Sequence, residues 1–215
     1  MLCTNSYLKR GVRNAFDSLA MHALLRYALC MSRYIRSHRE WGAYFLTIVT
    51  HDRYPLFRDS VARRLLRDAM RTTFAKYPLT IYEMVLLPDH MHILCGVPDE
   101  AQDYSVRIQQ IKRRFTRAWL ARGGHEGPRS ESKLRRGNRG VWQRRFYEHT
   151  IRNQVEFRDH VVYALMNPVK HKLVQRAADW PWSTIHRHLR DGTLTEDWCG
   201  PVDLRGVGDA ESEVW

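Results

Sequence analysis

The chain has 215 residues, 44% of them hydrophobic, with 35 Lys/Arg against 23 Asp/Glu and a formal net charge of +12. That length supports one domain with a sizeable core, and a surplus this basic points to a polyanionic partner, most often nucleic acid. The four cysteines, Cys3, Cys30, Cys95 and Cys199, are far apart and form no CxxC pair, which argues against a zinc ribbon and a disulfide framework. A reducing cytosol is the expected compartment, and no apolar run reaches membrane-spanning length.

In chain order, residues 1–40 read as an N-terminal extension. Its segment 15–31, AFDSLAMHALLRYALCM, follows basic residues as a signal peptide does. His22 and Arg26 interrupt the apolar part, so an amphipathic helix is the better reading. Met31 offers a second start of translation.

GAYFLTIVTH (42–51) is rich in β-branched and aromatic residues and predicts a strand. A helix is expected over about 60–76, capped by Ser60, with Val61, Leu65, Ala69 and Phe74 inward and Pro78 beyond its end. LTIYEMVLL (79–87) and HMHILCGV (90–97), joined by Pro88-Asp89, predict a hairpin. A second helix is expected over about 104–121, with Val106, Ile108, Ile111, Phe115, Ala118 and Trp119 inward.

The Gly-rich, basic stretch 122–140 reads as a mobile loop, and 141–152 as a strand. A third helix is expected over about 154–167, stopped by Pro168. The tryptophans of the tail, Trp180, Trp182 and Trp198, suggest a strap on the body. The order strand–helix–strand–strand–helix–strand, then a helix, matches a ferredoxin-like α+β sandwich with an antiparallel sheet.

The charge is concentrated. Residues 107–145 hold thirteen Lys/Arg against Glu126 and Glu131, a local excess of eleven. Such a segment reads as a phosphate-binding surface; Phe115 and Trp119 within it suit either the core or base stacking.

His90 and His92 share one face of their strand, while Met91, Ile93 and Cys95 share the other. The apolar face suits a helix-packed core; the histidine face would look out from the open side of the sheet. Two imidazoles so spaced can reach one metal ion, or can simply edge a strand. Asp89 is one candidate third ligand. Tyr163 and Asn167 are four apart on the third helix and share a face. Laid over the histidines, that face would add a phenol nucleophile and an amide ligand; the alternative is a packed tyrosine and an Asn helix stop before Pro168.

PDHMH, then VWQRRFYEHTIR, then YALMNPVKHKLV closely resembles the REP-associated tyrosine transposases, a bacterial group of the HUH single-tyrosine transposases that acts on single-stranded DNA. The resemblance spans about residues 31–200, including WPWSTIHRHLRDG and EDW. It implies a ferredoxin-like HUH endonuclease domain over 41–175, followed by a C-terminal strap and tail over 176–215. It implies metal ligands His90, His92 and Asn167 and the nucleophile Tyr163. The chain departs from the family at Lys172, where glycine is usual, at Ala164-Leu165-Met166 after the tyrosine, and at Met91 between the histidines.

The implied activity is cleavage and rejoining of single-stranded hairpin DNA through a 5′-phosphotyrosine, with Mg2+ or Mn2+ as cofactor. The basic segment and the end of the third helix give the expected DNA contacts Arg107, Lys112, Arg113, Arg114, Arg117, Arg144, Arg145 and Lys170. A cytoplasmic, nucleoid-associated bacterial protein is expected, as monomer or homodimer, with no membrane partner. Two other readings stand beside it: a metal-dependent nuclease without a covalent step, and a binding module using its sheet as an RNA platform.

Overall fold

Ala43–Val49 forms the strand β1, and its register with the rest of the sheet decides where every functional side chain falls. β3 (His90–Gly96) pairs antiparallel with β1 on one side and β4 (Tyr147–Ile151) on the other. β2 (Thr80–Leu86) pairs with the outer side of β3 in a hairpin turned at Pro88-Asp89, giving the order β2-β3-β1-β4. The structure is a computed structural model that describes residues 42–97 and 104–200. The expected extension 1–40, with its amphipathic helix and second start, and residues 201–215 of the tail lie outside the described residues.

Between the strands run α1 (Ser60–Lys76) and α2 (Tyr104–Leu120), completing the expected ferredoxin-like order. Both cover one face of the sheet. Met91, Ile93 and Cys95 of β3 and Leu46 and Ile48 of β1 are all fully buried there, against Leu66 and Met70 of α1 and Ile108, Ile111 and Phe115 of α2. Each large side chain so buried contributes about 1.5–3 kcal/mol relative to exposure. The other face is not open. It is roofed by α4 (Gln154–Lys170), whose Val161, Tyr163, Ala164 and Leu165 pack on Phe45, Val85 and Leu94.

Several local expectations are corrected. Asp59, not Ser60, caps α1, its carboxylate accepting from the N–H groups of Val61 and Ala62. The buried stripe of α1 is Ala62, Leu66, Ala69, Met70 and Thr73, turned by about one residue from the expected one; Leu65 and Phe74 pack at its margin. Residues 141–152 are not one strand. Trp142 bridges Thr50, the exposed Arg144 and Arg145 bend away, and β4 starts only at Tyr147.

Nor is 122–140 a shapeless loop. Glu126 receives two hydrogen bonds from Arg139 and one from Gly140 N, Gly127 N donates to Gly140 O, and α3 (Glu131–Arg135) lies inside. After α4 the chain turns back along β2. Ser183 bridges Val85, Leu86 N donates to Trp182 O and the Trp180 indole to Leu86 O, so the strap closes the outer edge of β2. The short helix α5 (Ile185–Arg190) follows. No helix among the described residues is long and apolar enough to cross a membrane.

Pro168 does not stop α4, which runs on to Lys170. Proline removes one N–H, the donor to the carbonyl of Ala164, in the last turns of a 17-residue helix. The true stop is a Schellman turn: Leu173 N donates to Pro168 O, Lys172 N to Val169 O, and Lys172 takes a φ of 57°. Lys172 thus holds the left-handed backbone that suits glycine, the residue usual there in the resembled family.

Candidate active site

The β1–β3 register places Thr47 opposite His92 and Val49 opposite His90. Both histidines point to the face beneath α4 and are buried, at 1% and 0% exposure. Each ring is held from behind. His92 Nδ1 lies 3.0 Å from Thr47 Oγ1, and His90 Nδ1 lies 2.6 Å from Asp89 Oδ1. Asp89 Oδ2 in turn accepts from Arg53 Nη1 at 3.2 Å. Burial opposes the ionisation of Asp89, but hydrogen bonds and charge from His90 and Arg53 outweigh it and hold its carboxyl below the usual range.

From above, α4 brings its stripe onto the same spot. Asn153 caps the helix by accepting from Glu156 N, and Phe157, Val161 and Ala164 form its buried stripe. The Tyr163 ring meets His92 edge-on, with centroids 5.4 Å apart, and Phe45 at 5.7 Å. One turn on, Asn167 is fully buried. Lys170 Nζ lies 4.8 Å from the Tyr163 ring centroid, and the His171 ring lies 5.1 Å from His90. His90 and His92 are themselves 4.9 Å apart, ring to ring. The sequence-derived set His90, His92, Tyr163 and Asn167 therefore converges on one place, with Lys170 at its rim.

The donor set fits a metal ion. His90 Nε2 and both polar atoms of the Asn167 side chain are buried without a well-formed hydrogen bond, an arrangement that costs energy unless a partner arrives. Burial, with the charges of His90, His171 and Lys170, pushes the pKa of His92 well down; a smaller interaction with Asn167 opposes this. A neutral imidazole is the form that ligates metal. No group of three His, Cys, Asp or Glu side chains suited to a metal exists among the described residues.

The basic residues divide. Arg113 and Arg117 are exposed on α2, which packs on the far face of the sheet from Tyr163. Arg144 and Arg145 are exposed beside the edge strand β4, and Lys170 is exposed at the site. Arg114 is half-buried. Arg107 is withdrawn from solvent: it is 4% exposed and its Nε donates to Pro78 O. Lys112 is half-buried, its Nζ donates to Gln143 O at 2.6 Å, and burial lowers its pKa to about 8. Its reach to a phosphate is correspondingly short. Phe115 and Trp119 are core residues, at 0% and 7% exposure, and do not stack on bases.

Sequence reasoning missed Thr47, whose role depends on strand register, and Phe45, which lies between His92, His160 and Tyr163. Asp89, one candidate third ligand in the sequence, sits behind His90. Both of its oxygens are engaged, by His90 and Arg53.

The family profile described as "Transposase IS200 like" matches residues 41–163, ending at the tyrosine. A REP-associated tyrosine transposase of Escherichia coli is 35% identical over 179 residues, covering 83% of this chain and 98% of that one. A Haemophilus influenzae relative assigned to the same group is 37% identical over 179 residues, covering 83% and 99%. A solved REP-associated tyrosine transposase bound to a REP hairpin superposes with a TM-score of 0.63 at 34% identity, covering 76% of this chain and 88% of that one. With its four-stranded antiparallel sheet and converging His90, His92 and Tyr163, the chain belongs to the IS200-like transposases, in their REP-associated tyrosine group.

Proposed function

We propose that this transposase cuts and rejoins single-stranded DNA beside a hairpin, with Tyr163 as nucleophile. The observation that carries the reading is the convergence of the buried Tyr163 ring with His92, His90 and a buried amide one helical turn on, whose polar atoms lack a well-formed hydrogen bond. In the proposed step the Tyr163 oxygen attacks phosphorus and gives up its proton. The P–O3′ bond breaks, and the 3′-oxygen leaves and is protonated. The 5′-phosphotyrosine keeps the energy of the phosphodiester, so a second 3′-hydroxyl can reverse the reaction without ATP.

His90, His92 and Asn167 would hold Mg2+ or Mn2+, which when bound would polarise a phosphate oxygen and offset its growing charge. Lys170 lies over the nucleophile's ring and is exposed, suited to meet an incoming phosphate. Tyr163 is 2% exposed, so a strand reaches it only when the groups covering the ring move aside. Arg113, Arg117, Arg144 and Arg145 are free to track the backbone of the hairpin.

The RNA-platform reading has little support, because the histidine face of the sheet lies beneath α4. The nuclease reading leaves the buried placement of Tyr163 beside His92 without a purpose. Cleavage of a labelled hairpin carrying a single-stranded flank tests the proposal. Cutting in the flank that needs Mn2+ or Mg2+, stops with EDTA and stops in Tyr163→Phe is the expected result. Cutting that survives Tyr163→Phe would favour the nuclease.

A further inference from the structure

We propose that Asp89, braced by Arg53, is a positioning residue that fixes His90 with its proton on Nδ1 and its Nε2 lone pair turned into the site. This deepens the metal-assisted reading above and rests on it only for its effect on affinity.

A neutral imidazole has one donor and one acceptor nitrogen, and which is which follows from the partner one of them finds. The Asp89 carboxylate can only accept, so the proton between it and His90 belongs to Nδ1 at their 2.6 Å contact. His90 Nε2 is then an acceptor, buried and without a hydrogen-bond partner. A carboxylate behind a ligating histidine also raises the basicity of the ligating nitrogen.

The backbone around Asp89 is built to hold it. Thr50 donates to the Asp89 carbonyl through both its N–H and its Oγ1, each at 2.8 Å, and Phe57 N donates to Pro88 O at 2.8 Å. The segment that carries Arg53 bends through two left-handed residues, Asp52 at φ 52° and Arg53 at φ 50°. Such backbone is unfavourable for residues with a β-carbon and persists where the surroundings over-determine it. Here the bend delivers Arg53 Nη1 to Asp89 Oδ2.

The test uses the full chain with 15N-labelled histidine. Long-range 1H–15N correlation reads the His90 tautomer, assigned by the signals lost in His90→Gln, and calorimetry reads Mn2+ binding. Wild type is expected to carry the proton on Nδ1. Asp89→Asn keeps an acceptor oxygen, so it should keep the tautomer and weaken Mn2+ binding several-fold. Asp89→Ala should release the tautomer and weaken binding by about 10- to 100-fold. Arg53→Ala should have the smallest effect. Should Asp89→Ala fail to fold, Asp89→Asn decides. His90 protonated on Nε2 in wild type, or an Asp89→Ala protein with unchanged tautomer and affinity, would overturn the proposal. Absence of Mn2+ binding by wild type would defeat the metal reading, while the tautomer would still decide what Asp89 does.

Discussion

The two faces of one strand, β3, are built on opposite rules. Under α1 and α2 it shows Met91, Ile93 and Cys95, all apolar and fully buried. Under α4 it shows His90 and His92, equally buried, facing Tyr163 and Asn167. The first face gains stability from every side chain it hides. The second hides polar atoms that the fold does not fully satisfy, which is where the proposed function places its chemistry. The histidines are set into an apolar surround on that face too, where Phe45, Val85 and Leu94 pack against α4.

Substitutions on the two faces should therefore have opposite signs. Ile93→Ala opens a cavity in the apolar layer and should cost about 2–5 kcal/mol in denaturant unfolding. A loss under 1 kcal/mol would mean that this face is not the main source of stability. Asn167→Leu replaces a buried amide by an apolar group of similar shape. It should leave stability unchanged or raise it by about 1 kcal/mol, while abolishing Mn2+-dependent cleavage. A clear drop in Tm would show that the amide is satisfied within the protein and is not held for a ligand.

The end of α4 sharpens the point. Lys172→Gly relieves left-handed backbone strain and should add roughly 0.4–1 kcal/mol; a loss of stability would contradict the turn described. The smallest effect concerns the excursion 122–140, outside both faces. Arg139 and Gly140 hold the Glu126 carboxyl down to about 2, from the usual 4.5. Because the folded pKa is depressed, that stabilisation is complete above about pH 5 and is lost as pH falls toward 2. It should amount to roughly 1 kcal/mol or less for a partly solvated pair. Proteolysis within 128–138 between pH 5 and pH 3 measures it, and Glu126→Gln should be cut at a rate that no longer changes with pH.

Much of this was legible in the sequence for a simple reason: strand alternation and helix spacing are local. Period two puts His90 and His92 together, and a separation of four puts Asn167 above Tyr163. What was not legible depends on neighbours distant in sequence. Thr47 meets His92 only once β1 and β3 are in register, and Arg107 is buried against a distant segment, donating to Pro78 O. Pro168 misled because its missing donor falls in the last turn, where a helix can spare one. Glu126 and Arg139, thirteen residues apart, closed a segment whose composition reads as loop.

The central claim is that Tyr163 becomes covalently joined to DNA. The direct measurement is trapping of the complex on a hairpin with a single-stranded flank in Mn2+, followed by mass spectrometry of the digested adduct. The account predicts a peptide carrying a 5′-phosphorylated nucleotide remnant on Tyr163, absent from Tyr163→Phe. Efficient cleavage with no adduct, or an adduct on another residue, would contradict it.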